Sequence, residues 1–185
     1  MTANISTLGI PVLGICAIAS NVGKTTLVTQ LIPVLAQRNL RVSVIKHAHH
    51  QFDIDYPGKD SFNIREAGAV QTLIASSKRW ALMTEMHRTP DTSDEADLQS
   101  LIAELNPHYA DLILVEGFKQ AAIPKIEVFR PSLALPLLAT EDSHIIAIAS
   151  DGPVVASIPI LDLNATNTIA DFVQHTFLSN HPNKT

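Results

Sequence analysis

The chain has 185 residues, of which 46% are hydrophobic and 17% charged, and its formal net charge is -5. This balance is typical of a soluble globular protein and excludes an intrinsically disordered one. A net negative chain is poorly suited to coating nucleic acid or an anionic membrane, so we expect neither as a partner. Cys16 is the only cysteine, which rules out an intrachain disulfide and favours a reducing, cytoplasmic setting with an inert buried thiol.

Short apolar runs alternate with helical patterns along the chain, which predicts a three-layer α/β fold with a mostly parallel sheet. Strands are expected at residues 12–19, 41–47, 70–75, 80–84, 111–116, 125–129 and 144–149. Helices are expected at 24–37, 92–105 and 168–177, the second opened by a capping box of Thr92 and Glu95. We expect one domain over residues 1–185, with frayed ends at 1–9 and 179–185.

The segment "ASNVGKTT" joins the first predicted strand to the first predicted helix and predicts a phosphate-binding loop. In such a loop, backbone N–H groups surround the phosphates, a lysine contacts the β and γ oxygens, and a hydroxyl binds Mg²⁺. In this chain, the residues expected to bind the nucleotide through these groups are Asn21, Val22, Gly23, Lys24, Thr25 and Thr26. The segment departs from G-x-x-x-x-G-K-[ST] at its first glycine, where Ile18 stands. We therefore expect a P-loop NTPase fold, with Thr25 on the magnesium.

A second magnesium ligand is expected at the end of a neighbouring strand. In "DLILVEGF", four apolar residues precede Glu116 and a glycine, so Glu116 is the candidate. It contacts the metal directly or orients a water. Asp55 and Asp60 compete for a further magnesium contact, and Asp60 has an alternative role as the N-cap of a helix.

The segment "IKHAHHQFDIDYPGKDS" follows the second predicted strand and should face the nucleotide crevice. Lys46 and His47 are expected to donate to phosphate oxygens or to line that crevice. The aspartates that follow suggest a switch-like loop near the γ-phosphate. The competing hypothesis is a transition-metal site, because His47 and His49 point the same way on an extended strand.

The C-terminal half offers one candidate for base recognition and two features that leave their roles open. Asp151 follows a predicted strand and can accept hydrogen bonds from guanine N1 and N2, or can simply belong to a D-G-P turn. Residues 125–129 alternate apolar and charged side chains, as in an edge strand paired across a dimer or a solvent-facing strand. Trp80 is an interface anchor or, more commonly for a single tryptophan in a strand, a core ring.

Several blocks together resemble the MobB family of molybdopterin-guanine dinucleotide biosynthesis adaptor proteins. The resemblance spans about residues 10–151 and is carried by "ASNVGKTTLVTQLIPVL", "IKHAHHQFDIDYPGKDSFNIREAGA", "IASSKRWALMTE", "DLILVEGFKQAAIPKIEVFR" and "HIIAIASD". It implies a GTP-binding protein with weak GTPase activity. It also implies a homodimer that associates with the enzyme attaching GMP to molybdopterin. The preference for guanine rests on this resemblance, because the N-K-x-D motif is absent.

The expected function is therefore a GTP- and Mg²⁺-binding adaptor in molybdenum cofactor maturation. Neither an arginine finger nor a catalytic base can be assigned from the sequence, which agrees with slow hydrolysis. Two rival functions remain: a metal-insertion GTPase using the histidines, and an ATP-dependent ligase or kinase of the dethiobiotin synthetase type.

Overall fold

The structure is a computed structural model that describes residues 9–48, 52–90 and 95–180. The chain divides into two compact units, residues 1–47 with 98–185 and residues 48–97. The strands are β1 Val12–Cys16, β2 Val42–Lys46, β3 Gln71–Ala75, β4 Trp80–Thr84, β5 Leu112–Glu116, β6 Lys125–Phe129, β7 Ile145–Ser150 and β8 Ile160–Asp162. The α-helices are α1 Lys24–Gln37, α2 Asp60–Glu66, α3 Leu98–Ala103 and α4 Thr166–Asp171, and α4 continues as a π-helix over Phe172–Leu178.

The first unit is built on one six-stranded sheet with the order β2-β5-β1-β6-β7-β8. Every neighbouring pair in it is parallel. The carboxyl ends of all six strands therefore lie at one edge, which is where open α/β sheets bind ligands. The predicted α/β class with a mostly parallel sheet is confirmed.

The apolar side chains of the central strands divide between the two faces of the sheet. Leu112 and Leu114 of β5 belong to the larger core cluster, which contains α1, α4 and the π-helix. Ile113 and Val115 belong to the second cluster, where α3 packs. Alternation along an extended strand explains this division, and burial on both faces explains why β5 is apolar throughout its first four residues.

Helix α1 has the predicted bounds and positions the phosphate loop. It buries one stripe at helical spacing, Leu27, Val28, Leu31 and Leu35, against the sheet. Pro33 lies inside the helix. Because proline has no backbone N–H, one intrahelical hydrogen bond is missing there. Burial of the stripe fixes the first turn of α1 at the end of the loop, residues 17–23, that follows β1.

The second unit contains α2 and an antiparallel hairpin of β3 and β4. Leu73 pairs with Leu82 in its register, and their side chains are 60% and 38% exposed. Trp80 is 58% exposed, so the expectation of a core ring was wrong. The hairpin presents apolar side chains that this unit does not itself cover.

Three further elements differ from expectation. The segment predicted as an edge or solvent-facing strand, β6, is central in the sheet, between β1 and β7. The helix expected over 92–105 is described only as Leu98–Ala103, and Thr92 of its capping box lies outside the described residues. The third helix begins at Thr166 rather than at residue 168. In addition, the short strand β8 was not predicted, and helix α2 was raised only through the alternative role of Asp60 as the N-cap of a helix.

Within residues 9–48, 52–90 and 95–180, none of the helices has the length and apolar character that crossing a membrane requires.

Candidate functional site

The loop between β1 and α1 has the backbone of a phosphate cradle. Gly23 has φ 117° and Asn21 has φ 60°, so the chain turns sharply through the left-handed region before the helix begins. No side chain caps the N-terminus of α1, and the N–H groups of a first helical turn have no intrahelical partner. They point at the position where an anion is stabilised by the helix dipole.

Lys24 folds back over this loop. Its Nζ donates to the carbonyl oxygen of Ala19 at 2.9 Å, which arches the side chain across the residues between them. Burial lowers the pKa of Lys24 below its usual 10.5, and the carboxylate of Glu116 acts in the opposite direction. A partly desolvated ammonium so placed gains more from a phosphate oxygen than one in bulk water.

Thr25, Glu116 and Lys46 meet at the carboxyl ends of adjacent strands and the start of α1. The Thr25 hydroxyl donates to Glu116 Oε1 at 2.5 Å. Lys46 Nζ donates to the same carboxylate oxygen and to Thr25 Oγ1, each at 3.0 Å. The Glu116 side chain is 9% exposed, whereas that of Lys46 is 54% exposed. One cationic group therefore already bridges the two oxygens predicted to hold magnesium.

The chemistry of this cluster fits Mg²⁺. A hydroxyl and a carboxylate are hard oxygen donors, and neighbouring ligands of an octahedral Mg²⁺ lie about 3 Å apart, since each bond is about 2.1 Å long. Thr25 Oγ1 and Glu116 Oε1 are hydrogen-bonded neighbours at 2.5 Å, so they would have to move slightly apart to occupy adjacent ligand positions. Two protein ligands with phosphate oxygens and waters are a usual set for Mg²⁺. The metal roles of Thr25 and Glu116 stay predictions with this geometric support.

His47 directly follows β2, at the carboxyl edge of the sheet beside the end of β5. Its backbone N–H donates to the carbonyl of Glu116 at 2.9 Å, and its ring stacks on Phe118 with centroids 4.6 Å apart. Gly117 has φ 94°, and a Cβ there would lie 2.7 Å from His47 Cβ. Gly117 is required because its φ is unfavourable for other residues and because His47, which follows β2, leaves no room for a side chain there. Packing against Phe118 holds the imidazole beside the end of β5, and the expected role of His47 in binding phosphate or lining the crevice stays a prediction.

Asp151 lies at the same edge of the sheet, directly after β7. Its carboxylate forms an ion pair with Arg130, the residue that follows β6. Arg130 was not among the predicted site residues. Its position immediately after a strand next to the phosphate-loop strand was the available signal, but that strand was expected to be an edge or a solvent-facing strand.

The aspartates of the predicted switch-like segment belong to the second unit. Asp55 is buried, and its Oδ1 accepts from the backbone N–H of Tyr56 at 3.0 Å. Asp55 Oδ2 has no hydrogen-bond partner among the residues that the structure describes. Asp60 is the first residue of α2, whose N-cap is Lys59, so the alternative of Asp60 as the cap was wrong. Their magnesium roles stay predictions.

The histidine site proposed for a transition metal can be judged only in part. His49 lies outside the described residues, as does His50. Within the described ranges, no group of three or more His, Cys, Asp or Glu side chains is placed to hold a metal ion.

Comparison with known proteins places these features in a family context. A family model, Molybdopterin guanine dinucleotide synthesis protein B (MobB), matches residues 12–151. The chain is 49% identical over 165 residues to the molybdopterin-guanine dinucleotide biosynthesis adapter protein of Escherichia coli strain K12, covering 89% of this chain and 91% of that protein. The protein of the same name from Haemophilus influenzae is 42% identical over 166 residues, covering 90% and 89%.

Solved structures agree with the observed architecture. A crystal structure of molybdopterin-guanine biosynthesis protein B (mobB) superimposes with a TM-score of 0.66 at 28% identity, covering 89% of this chain and 98% of that one. A MobB protein homolog from Bacillus stearothermophilus gives a TM-score of 0.65 at 20% identity, covering 91% and 98%. At 20% identity, the similarity to the Bacillus stearothermophilus protein shows a shared fold alone.

Proposed function

The chain belongs to the molybdopterin guanine dinucleotide synthesis protein B family, and from that premise we propose that it is a GTP- and Mg²⁺-binding adapter in molybdopterin guanine dinucleotide biosynthesis. The observation that carries the nucleotide part is the meeting of Thr25, Glu116 and Lys46 beside the loop that ends in Lys24. Cationic groups and hard oxygen donors there surround the space in front of an uncapped helix N-terminus.

Each residue has a distinct task in this proposal. Loop N–H groups and Lys24 bind the β- and γ-phosphates and neutralise the charge that develops during slow hydrolysis. Thr25 and Glu116 hold the magnesium, which when bound neutralises phosphate charge. Asp151 accepts from the N1–H and the 2-amino group of guanine; adenine lacks both donors, because its N1 is an acceptor and its C2 carries no amino group. Weak turnover suits an adapter, because the bound nucleotide then marks a long-lived state.

Exposed apolar side chains support the homodimer in this proposal. Leu73, Leu82 and Trp80 stand on the β3–β4 hairpin and are not covered within their own unit. A second copy that covers them would remove apolar area from water, at a gain of about 25 cal/mol per Å². Sedimentation of a Leu73→Ser, Leu82→Ser double variant should show a monomer where the wild type is a dimer; an unchanged dimer would place the interface elsewhere.

The adapter role is tested with the enzyme that attaches GMP to molybdopterin. Immobilised wild-type protein should retain that enzyme more strongly with GTP and Mg²⁺ than without them. Lys24→Ala should show no response to GTP, whereas Lys78→Ala, an exposed lysine of the second unit, should respond as the wild type does. Equal retention in every arm would contradict a GTP-dependent adapter.

A further inference from the structure

Three loops meet at the carboxyl edge of the sheet on the side of β1 away from β5. They follow β1, β6 and β7, which are consecutive in the sheet. The first is the phosphate loop, and the third carries Asp151, the proposed base-recognising residue. The second begins with Arg130 and lies between them.

One guanidinium connects all three loops. Arg130 Nε donates to the carbonyl oxygen of Val22 in the phosphate loop at 2.7 Å. Its Nη1 donates to Oδ2 of Asp151. The pair is partly desolvated, with the side chains of Arg130 and Asp151 34% and 23% exposed. Arginine suits this task because its donors are fixed in one plane and can serve two acceptors at once.

Two glycines lie against the segment of Arg130 and Pro131, one in the phosphate loop and one in the Asp151 turn. A Cβ at Gly23 would lie 3.2 Å from Arg130 Nη2, so the glycine before Lys24 leaves room for the arginine. At the other end, a Cβ at Gly152 would lie 3.3 Å from Pro131 Cγ. The Asp151 turn is itself held by Ser150, whose hydroxyl donates to Gly152 O at 2.8 Å. The phosphate loop and the Asp151 turn therefore each pack closely against the segment of Arg130 and Pro131.

We propose that Arg130 is a positioning residue that couples base recognition to the phosphate loop, an inference that rests on the proposed function. Its bond to Asp151 Oδ2 orients the carboxylate so that the remaining oxygen faces the N1 and 2-amino donors of a guanine base. Its bond to Val22 holds the loop backbone in the phosphate-binding conformation. Loss of Arg130 should thus weaken both recognition of the base and affinity for the phosphate chain.

The test displaces a fluorescent GTP analogue from each variant with GTP, ATP or tripolyphosphate. Arg130→Met should lose about tenfold both in the preference for GTP over ATP and in tripolyphosphate affinity, as expected for the loss of charge-assisted hydrogen bonds. Asp151→Ala should lose the base preference but less tripolyphosphate affinity than Arg130→Met. Arg130→Lys should lose both quantities as Arg130→Met does, because one ammonium cannot span Val22 O and Asp151 Oδ2. This variant keeps the positive charge and so replaces Arg130→Met in the test if the methionine variant folds poorly.

Arg38→Met is the matched control. Arg38 also joins a carboxylate and a carbonyl, Asp171 at 2.7 Å and Asn167 O at 3.2 Å, at the C-terminal end of α1. It should change stability without changing either nucleotide measurement. The coupling would be overturned if Arg130→Met lost only the preference for GTP over ATP, lost only tripolyphosphate affinity, or kept both at wild-type values. In each of those cases, GTP binding by the wild type would still uphold the proposed function. A wild type that binds no GTP would overturn both.

Discussion

At the scale of single residues, Lys46 has the most consequential position. Its ammonium contacts Thr25 and Glu116, the two groups predicted to bind magnesium. A divalent cation held by Thr25 Oγ1 and Glu116 Oε1 would stand next to the Lys46 ammonium, and two positive charges that close repel each other. If the proposed Mg²⁺ and nucleotide bind here, we expect Lys46 to leave these partners for the phosphate oxygens.

This exchange predicts effects of opposite sign for Lys46→Met. Without nucleotide, the variant should bind Mn²⁺ about three- to tenfold more tightly than the wild type, because the competing cation is gone. With GTP present, the variant should bind the nucleotide more weakly, because a phosphate donor is gone. Electron paramagnetic resonance titration of Mn²⁺ measures the first effect and calorimetry the second. Lys78→Met should change neither, and equal Mn²⁺ affinity in wild type and Lys46→Met would refute the exchange.

The residue scale also shows what sequence reasoning can and cannot predict about a site. Lys24, Thr25 and Glu116 were identifiable because each stands at a fixed offset from a strand end, and parallel topology brings such ends together. Arg130 was missed because its importance depends on which strand neighbours β1, and local patterns do not specify strand order. The inert character of Cys16 is supported: the thiol is fully buried, and burial raises its pKa to about 12.

At the scale of elements, β6 shows how a charged pattern can be misinterpreted. Its alternation of Lys125 and Glu127 with apolar residues indicated a face that is exposed to solvent or paired across a dimer, yet both charged side chains are fully buried within the chain. Lys125 reaches Asp142 at 2.7 Å, and Glu127 accepts from the backbone N–H groups of Leu138 and Ala139, each at 2.9 Å. Partners distant in sequence satisfy these charges, so alternation alone could not identify the buried strand.

The same strand explains a glycine in the middle of β1. Gly14 is the register partner of Lys125, and a Cβ at Gly14 would lie 2.6 Å from Lys125 Cγ. The lysine stem therefore passes through space that only a glycine leaves. Glycine weakens a strand interior, and here the close packing of a buried ion pair accounts for it.

The Lys125–Asp142 pair makes stability dependent on pH in a defined direction. Burial acts to raise the pKa of Asp142, but hydrogen bonds from Lys125 and His144 outweigh it and hold the pKa below the usual 3.8. A depressed pKa in the folded state stabilises the protein above pH 3.8, and that contribution is lost as pH falls through the folded value. Burial raises the pKa of Glu127, so its contribution has the opposite sign and diminishes as pH rises.

We therefore expect Asp142→Asn to lower the free energy of unfolding by about 3 kcal/mol at pH 7, because a buried ammonium loses its charged partner. The difference from wild type should shrink as pH falls below 3.8. Urea unfolding between pH 7 and pH 3 measures both. Asp171→Asn, which breaks the more exposed pair with Arg38, should cost about 1 kcal/mol or less. A loss that is independent of pH would contradict the role assigned to Asp142.

At the scale of the whole molecule, the chain order of long apolar runs predicted the α/β class and the parallel sheet. The elements that escaped prediction are short and lack a pattern of their own. Helix α2 buries no residue, so it shows no apolar stripe, and β8 has only three residues. Such elements are stabilised by tertiary neighbours rather than by local propensity.

Binding of GTP with Mg²⁺ through the loop before α1 underlies every role proposed for this molecule. Isothermal titration calorimetry of the wild type and Lys24→Ala with GTP in Mg²⁺ tests it most directly. The wild type should bind GTP saturably, and Lys24→Ala should lose at least about tenfold in affinity, since a charge-assisted phosphate contact is removed. Equal affinity of the two proteins for GTP would contradict it.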